Sequence, residues 1–366
     1  MAKKLFIAAT GQNCGKTTTC IGLMHLALKK YQRVGFIKPL GPKPVSFRRC
    51  IVDKDAALIA QVFGLENELR WMSPVVVQAD TTRLVVDGEI SPDRLHEQIV
   101  HAYMELEKRC DFIIIEGSGH PGVGSVMKSS NARIAKLLDA PVLMVTGGGL
   151  GNVIDKVCMG LALFQKEGVD VRGLLANKLV PEKRARTLYY LRKALEDEAL
   201  TVIGGIDYHP VLANPTLRRV SKLLGLPLQG NRREASRIIQ HVQIGAASTQ
   251  RVTELIQEPS LLIVTSSRDE LLVTLANLYR IPAYRSRIIG LVIPGTAPVS
   301  TITQMILERS NIPYLRAEHH TTAELYRLIT EDVSKITAVD TEKLSLIRSL
   351  AESHIDFDLL DELCCS

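Results

Sequence analysis

The chain has 366 residues, of which 46% are hydrophobic and 23% are charged, and it carries a formal net charge of +6. These values are typical of an ordinary soluble globular protein, and the length predicts two domains. The charge is small for this length. The basic pairs Arg218-Arg219 and Arg232-Arg233 have no aromatic residues interleaved with them, so we expect no nucleic-acid partner.

The cysteines are scattered, odd in number and without the CxxC spacing of a metal or redox site. They are Cys14, Cys20, Cys50, Cys110, Cys158, Cys364 and Cys365. We interpret them as reduced thiols of a cytoplasmic protein. No apolar run is long enough for a signal peptide or a transmembrane span, so we expect no membrane association.

Short apolar runs alternate with amphipathic stretches as far as residue 210, and both faces of the runs are apolar. This pattern predicts a doubly wound α/β domain with a mostly parallel sheet. The predicted strands are Leu5–Thr10, Val34–Pro39, Phe112–Gly117, Pro141–Gly147, Arg172–Leu179 and Thr201–Asp207. The predicted helices lie near 17–30, 54–63, 92–109, 130–138, 152–167 and 182–198.

The first strand runs into Thr10-Gly11-Gln12-Asn13-Cys14-Gly15-Lys16-Thr17-Thr18, which is typical of a phosphate-binding loop before a helix. In such a loop Lys16 neutralises the β/γ-phosphates, and the Thr17 hydroxyl reaches Mg²⁺. Thr10 stands where the standard pattern has glycine. An ordinary Gly-rich turn is the alternative.

Polar residues follow the second strand. Lys38-Pro39 ends it, and a lysine there can reach a transferring phosphoryl group; a surface lysine beside a turn is the alternative. Asp53 and Asp55 open the next helix, where a carboxylate can cap the helix or hold Mg²⁺. We prefer Asp55 over Asp53 as the ligand, with simple capping as the alternative.

Glu116 ends the apolar third strand, and a glycine-rich loop, residues 117–125, follows it. A buried carboxylate must be paired or bound to a metal, so Glu116 is a predicted Mg²⁺ ligand, with a structural ion pair as the alternative. His120 in that loop is a candidate substrate contact or simply an exposed histidine. Asn177, near the end of a later strand, can offer an amide to a purine edge.

The pattern changes after Asp207. A helix is predicted at Thr216–Leu224, a linker at residues 225–237, and then a second α/β region. Its predicted strands are Leu261–Thr265, Ile288–Ile293 and Ile312–Arg316, with helices near 268–280, 298–310 and 320–330. Residues 341–362 are predicted to form a helical tail.

The order of these site residues resembles the dethiobiotin synthetase branch of P-loop proteins, which is related to the cobyrinic acid a,c-diamide synthases. The resemblance covers about residues 1–225. It implies that Lys16 and Lys38 bind phosphate, and that ATP and Mg²⁺ are the cofactors. It also implies that Thr17, Asp55 and Glu116 hold the metal, that Asn177 reads the adenine, and that the protein is a homodimer. This chain has Gln12-Asn13 where dethiobiotin synthetases have Thr-Glu, so the resemblance does not give the substrate.

A closer resemblance is to the dethiobiotin-synthetase-like region of long phosphotransacetylases, which precedes a DRTGG domain. It rests on residues 116–125, Ser130-Asn131-Ala132 and Gly147-Gly148-Gly149. Residues 242–246, 266–270 and 293–296 resemble a degenerate DRTGG domain. The implied domains are a P-loop domain at 1–225, a DRTGG-like domain at 226–335 and a helical tail at 336–366.

Two functions follow as hypotheses. One is an ATP-dependent ligase-like or phosphoryl-transfer enzyme acting on a carboxylate or carbamate of an unknown small substrate, with Lys16 and Lys38 as catalytic residues. The other is a non-catalytic nucleotide-binding regulatory module whose second domain senses a ligand. We favour the enzyme, because Glu116 and Lys38 have little reason to coexist in a passive binder. A partner-switching ATPase would need a lysine at Gly11. Because the chain ends at Ser366 without an acyl-transferring domain, the expectation is that it is not a phosphotransacetylase.

Overall fold

A computed structural model describes residues 2–332 and 335–364. The chain folds into two units: the first contains the residues up to Tyr208 together with those from Thr341 onward, and the second is His209–Asp340. Each unit is built on a parallel sheet with helices packed against it. The predicted fold class, a mostly parallel α/β domain followed by a smaller one, is confirmed.

Ten strands and eight helices of the first unit precede residue 208 in the described part of the chain. The strands are β1 (Lys3–Ala9), β2 (Val34–Ile37), β3 (Leu40–Gly41), β4 (Pro44–Phe47), β5 (Cys50–Asp53), β6 (Val75–Val76), β7 (Phe112–Glu116), β8 (Val142–Thr146), β9 (Val171–Leu179) and β10 (Thr201–Asp207). The helices are α1 (Lys16–Lys30), α2 (Lys54–Phe63), α3 (Leu69–Met72), α4 (Thr81–Val86), α5 (Pro92–Glu107), α6 (Asn131–Leu137), α7 (Gly151–Lys166) and α8 (Arg184–Ala194).

The main sheet of the first unit has the order β10-β9-β8-β1-β7-β2, and every neighbouring pair in it is parallel. All residues of β2, β7 and β8 are buried, as continuous apolar runs in a sheet covered on both faces should be. Because the strands are parallel, their carboxyl ends meet at one edge. The loop after β1 therefore lies between the loops that follow β7 and β8.

The second unit is arranged around a four-stranded parallel sheet in sequential order. Its strands are β11 (His241–Ile244), β12 (Ser260–Ile263), β13 (Ile288–Pro294) and β14 (Tyr314–Ala317). Its helices are α9 (Pro210–Ala213), α10 (Leu217–Leu224), α11 (Thr249–Glu254), α12 (Asp269–Leu278), α13 (Pro282–Arg285), α14 (Thr301–Ser310) and α15 (Thr322–Glu331). Two apolar clusters, one on each side of this sheet, form its core.

The boundary between the units lies earlier than the expected residue 225. Helix α10 buries Leu217 and Val220 in the same apolar cluster as Leu261 and Ile289 of the second sheet. The predicted linker also takes part in the second unit, since the backbone of Gln229 pairs with Tyr314. Long-range packing of this kind leaves no signal in the local pattern.

The helical tail forms two helices, α16 (Thr341–His354) and α17 (Phe357–Leu363), and belongs to the first unit. Helix α16 packs on α1, where a Cβ atom added to Gly22 would lie 2.8 Å from the Cβ of Ala351. Helix α17 places Phe357 against Phe112, with 5.9 Å between ring centroids. The tail is therefore part of the P-loop unit rather than an appendage. Cys365 lies outside the described residues.

The β4–β5 pair is an antiparallel hairpin that the sequence pattern did not indicate. Its turn residues, Arg48 and Arg49, have φ angles of 48° and 67°. Residues other than Gly, Asn and Asp seldom adopt such positive φ angles, so two arginines give no turn signal in the sequence. None of the helices within the described part of the chain combines the length and apolar character needed to cross a bilayer.

Candidate functional site

The loop between β1 and α1 has the geometry of an anion site. Gly15 precedes α1 with a φ angle of 89°, and no side chain caps the helix start. A Cβ at this position would lie 2.0 Å from the Asn177 amide nitrogen, so only glycine fits. The first backbone N–H groups of α1 therefore remain open to a bound anion, and the helix dipole favours one.

Thr10 explains the departure from the standard loop pattern. Its side chain is buried, and its hydroxyl lies 3.1 Å from that of Thr146 at the end of β8. A glycine could not make this contact. The threonine thus links the start of the loop to the neighbouring strand β8 by a hydrogen bond.

Lys16 and Thr17, in the first turn of α1, reach the loop after β7. The Lys16 ammonium donates to the Gly119 carbonyl at 2.6 Å, and the Thr17 hydroxyl donates to Glu116 Oε1 at 3.1 Å. Burial lowers the pKa of Lys16, although the Glu116 carboxylate opposes that shift. The structure brings three predicted site residues from two strand ends together.

Lys38 lies between the two predicted metal-binding carboxylates. Its ammonium donates to Glu116 Oε1 and to the Gly117 carbonyl, both at 3.0 Å, and lies 3.5 Å from Asp55 Oδ2. Lys43 also pairs with Asp55, at 3.3 Å. Lys38 is 2% exposed and Glu116 is 1% exposed, so this is a buried ionic cluster.

The pKa shifts in the cluster follow from burial and charge. Burial raises the pKa of Glu116, and the positive charge of Lys38 offsets this only in part. For Asp55, burial also raises the pKa, but the charges of Lys38 and Lys43 outweigh it, so the pKa lies below its ordinary value. Burial disfavours the charged form of Lys38, but Glu116, Asp55 and Asp53 keep its pKa raised.

Glu116 offers the observation that fits a magnesium ion. Its Oε2 atom is buried and has no hydrogen-bond partner among the described residues, while Oε1 already holds Thr17 and Lys38. A free carboxylate oxygen beside a threonine hydroxyl suits Mg²⁺, which takes one or two protein oxygens and completes its shell with phosphate and water. Within the described ranges, no three His, Cys, Asp or Glu side chains form a metal-binding group by themselves.

Asp53 acts as a helix cap. Its side chain accepts hydrogen bonds from the backbone N–H groups of Asp55 at 2.8 Å and Lys43 at 3.1 Å. Burial raises its pKa. Asp55, whose ion pair with Lys38 joins it to the cluster, is the better candidate of the two for the metal site.

Asn177 contacts the loop itself. Its amide nitrogen donates to the Cys14 carbonyl at 2.9 Å, and its amide oxygen accepts from the Lys178 backbone N–H at 2.8 Å. These bonds place Asn177 against the phosphate loop. Its contact with a purine stays a prediction, and so do the contacts of Gly11, Gln12, Asn13, Cys14 and Thr18 with a nucleotide.

Asn131 is a site residue to which the sequence analysis assigned no role. Its buried amide bonds to Ser118 and His120, in the loop that carries Gly119. The motif Ser130-Asn131-Ala132 was visible, but no local pattern says which loop an asparagine will hold. His120 itself is exposed, and its Nδ1 accepts from the Gly122 backbone N–H at 3.2 Å.

The segments that resemble a DRTGG domain lie at β11 and at the ends of β12 and β13 in the second unit. Arg268 donates to the carbonyls of Gly245 and Ala247, each at 3.1 Å. Arg316 donates to those of Ile293, at 2.7 Å, and Ala297, at 2.9 Å. These arginines hold loops at the carboxyl edge of the sheet, which is a structural role.

Comparison with known proteins gives a family and two groups of relatives. The model of the AAA_26 family, described as an AAA domain, matches residues 3–216. A phosphate acetyltransferase from Synechocystis is 24% identical over 98% of this chain and 51% of its own length. The ATP-dependent dethiobiotin synthetase BioD of Clostridium novyi is 26% identical over 48% of this chain and 76% of its own length. The MinC:MinD cell division protein complex of Aquifex aeolicus aligns with a TM-score of 0.37 and 16% identity, over 58% of this chain and 84% of that one.

These matches correct the enzyme prediction. The expectation that the chain is not a phosphotransacetylase is overturned, because phosphate acetyltransferases match it over almost its whole length. The preference for a ligase-like or phosphoryl-transfer enzyme is corrected as well, because BioD of Clostridium novyi matches only 48% of the chain. The chain spans about half the length of the phosphate acetyltransferases it matches.

Proposed function

Because the chain belongs to the AAA_26 family, we propose that it is a nucleotide-binding regulatory module that takes ATP with Mg²⁺ at the loop between β1 and α1. The observation that supports this most directly is the meeting of Lys16, Thr17 and Glu116 at the open N-terminus of α1. A backbone anion site, a cation and a carboxylate with a free oxygen are what a magnesium nucleotide requires.

Each residue has a role in this proposal. The N–H groups at the start of α1 hold the phosphates, and Lys16 leaves Gly119 to neutralise them. Thr17 and Glu116 would hold Mg²⁺ directly. Asp55 would also bind the ion, directly or through water. The Lys38 ammonium would offset the repulsion between the two buried carboxylates. When bound, the metal supplies charge neutralisation for the phosphates. Asn177 would contact the base.

We also propose that this chain corresponds to the regulatory half of a phosphate-acetyltransferase-type protein. Its relatives of that name match it over almost its whole length and over about half of their own. The second unit would then be a DRTGG-like domain that senses a small effector. We propose a cytoplasmic homodimer; a monomeric mass by light scattering, with and without ATP and Mg²⁺, would contradict the dimer.

The test is calorimetric titration of the full chain with ATP and Mg²⁺, alongside a measurement of ADP release. We expect saturable binding with negligible turnover. Lys16→Ala should weaken binding about 10- to 100-fold, since a hydrogen bond to a charged group contributes about 1.5–3 kcal/mol. Absence of binding by the wild type would overturn the proposal, and sustained ADP release would overturn its regulatory part.

Lys29→Ala is the matched control. Lys29 lies on the same helix as Lys16 but in its last turn, where it pairs with Glu352 at 2.5 Å. It should leave the affinity for ATP unchanged. An equal loss in both variants would mean that the helix, rather than the Lys16 ammonium, had been disturbed.

A further inference from the structure

The loop after β7 is held by hydrogen bonds to its backbone and by one from its Ser118 side chain. Lys38 binds the Gly117 carbonyl, the Ser118 hydroxyl donates to the Leu40 carbonyl at 2.5 Å, and Lys16 binds the Gly119 carbonyl. Among the described residues, the Asn131 side chain bonds to the backbones of both Ser118 and His120, and the His120 carbonyl also accepts from the Val123 N–H at 3.0 Å. Asn131 is not among the residues that would bind the nucleotide or the metal.

Asn131 is 1% exposed and uses its whole amide on this loop. Its oxygen accepts from the Ser118 N–H at 2.8 Å, and its nitrogen donates to the carbonyls of Ser118 at 2.6 Å and His120 at 2.7 Å. The approach is so close that a Cβ on Gly117 would lie 2.8 Å from the Asn131 oxygen. Gly119 is thus fixed between two residues whose backbones Asn131 holds.

This arrangement aims the Gly119 carbonyl at Lys16. The backbone at Gly119 has a φ angle of 56°, in the left-handed region, and its oxygen lies 2.6 Å from the Lys16 ammonium. Lys16 is partly buried, so such a partner stabilises its ammonium whenever no phosphate is present. A bound phosphate and the Gly119 carbonyl would therefore compete for the same ammonium.

We propose that Asn131 is a positioning residue that holds the Gly119 carbonyl as an internal competitor for Lys16, and so lowers the affinity of the site for nucleotide phosphate. The inference rests on the proposed nucleotide function and adds an autoinhibitory contact to it. The Asn131 amide bonds to Ser118 and His120 and not to Lys16, so it acts through the loop. Loosening the loop should therefore strengthen phosphate binding, whereas a purely structural residue would weaken it when changed.

The first test measures affinity for ATP with Mg²⁺ in Asn131→Ala and Asn131→Asp. The aspartate keeps the acceptor for Ser118 and removes both donated bonds, so it serves if the alanine variant fails to fold. We expect the variants to bind ATP about 3- to 10-fold more tightly than the wild type. This is the gain expected when the competing hydrogen bond from Lys16 to the Gly119 carbonyl is weakened but not abolished. Binding that is unchanged or weaker in a folded variant would overturn the inference.

Ser130→Ala is the matched control. Ser130 caps the same helix by accepting from the Arg133 N–H at 3.1 Å, and among the described residues it makes no hydrogen bond to residues 117–120. Its loss should destabilise α6 without changing the affinity for ATP. A matching gain in affinity in this control would attribute the effect to the helix and overturn the role of Asn131.

The second test needs no nucleotide. The rate at which acetic anhydride acetylates Lys16 is measured by mass spectrometry, with Lys29 as the internal reference. Loss of the Gly119 contact should raise the Lys16 rate several-fold in the Asn131 variants and not in Ser130→Ala. An unchanged rate would overturn the inference even if ATP binds, whereas absent ATP binding with a raised rate would overturn the proposed function alone.

Discussion

Lys38 shows how one buried side chain sets the electrostatics of the site. It lies within 3.5 Å of both Glu116 and Asp55 and is 2% exposed. Replacing a buried pair by apolar groups can be neutral, but removing one partner leaves an uncompensated charge. Without Lys38, the two carboxylates would face each other, with the partly exposed Lys43 near Asp55 and Lys16 near Glu116.

We predict that Lys38→Met destabilises the first unit by about 3–5 kcal/mol at neutral pH. The loss should shrink as the pH falls through the acid range. Burial already raises the pKa of Glu116, and removing the ammonium raises it further, so the folded variant takes up a proton more readily than the unfolded chain. The deficit is therefore fully present above the folded pKa of Glu116 and declines below it.

The measurement is urea unfolding at pH 5 and pH 8, followed by the fluorescence of Trp71, the single tryptophan of the chain, which lies in the first unit. Lys43→Met is the control, because the Lys43 side chain is 45% exposed and should contribute less than about 1 kcal/mol. Equal losses in the two variants at both pH values would contradict the buried-charge account.

At the scale of elements, α1 joins the phosphate loop to the C-terminal helices. Its first turn carries Lys16 and Thr17, and farther along Gly22 faces Ala351 of α16. His25 and Lys29 pair with Glu352 at 2.6 and 2.5 Å. These side chains are partly exposed, so the close helix contact matters more for stability than the surface ion pairs.

We predict that Gly22→Ala destabilises the first unit by about 1 kcal/mol. Alanine favours a helix over glycine by about 1 kcal/mol, but the added Cβ would lie 2.8 Å from the Cβ of Ala351, and such overpacking costs about 1–3 kcal/mol. A double-mutant cycle with Ala351→Gly should give a coupling of at least about 1 kcal/mol in free energy of unfolding.

Gly151→Ala provides the comparison for that cycle. Gly151 begins α7, and a Cβ there would meet nothing within 4 Å. This substitution should be neutral or stabilising. If the two substitutions changed the free energy of unfolding additively, the prediction would be contradicted, because the helices could then move apart to accept the added Cβ.

At the scale of the whole molecule, the first unit is discontinuous in sequence. The chain leaves the first unit after Tyr208 and returns to it at Thr341, so α16 and α17 are the last helices of this unit to be synthesised. Four large aliphatic side chains of this segment are buried, Leu344, Ile347, Ile355 and Leu360. At about 1.5–3 kcal/mol each, their burial contributes on the order of 10 kcal/mol, comparable to the whole stability of a domain.

We predict that a chain truncated after Asp340 does not form a stable first unit. Trp71 emission should shift to the red and ATP binding should be lost, because the apolar surface of α1 is uncovered. Ile347→Ala should have a smaller effect of the same kind, lowering the free energy of unfolding by about 2–5 kcal/mol. Val339→Ala, at a residue that is 49% exposed, should change it little. Cooperative unfolding of the truncated chain at wild-type urea concentrations would contradict this.

Much of the first sheet was predictable because its signals are local. The runs Phe112–Glu116 and Val142–Thr146 are apolar throughout, and the predicted strands and helices agree with the structure to within a few residues. The phosphate loop could be identified because Gly15, Lys16 and Thr17 are adjacent, and parallel strands bring Glu116 and Asn177 to the same edge. Such features depend on neighbours in sequence and on the rule that parallel strands end together.

The sequence by itself therefore determined the α/β class, the position of the loop and the residue types at the edge of the sheet. The tertiary structure alone decided that Lys38 lies between Glu116 and Asp55, that Asn131 holds the Gly119 carbonyl against Lys16, and that the C-terminal helices complete the first unit. The reason is physical. These contacts join residues far apart in the chain, and their geometry is set by how whole elements pack, which no local pattern encodes.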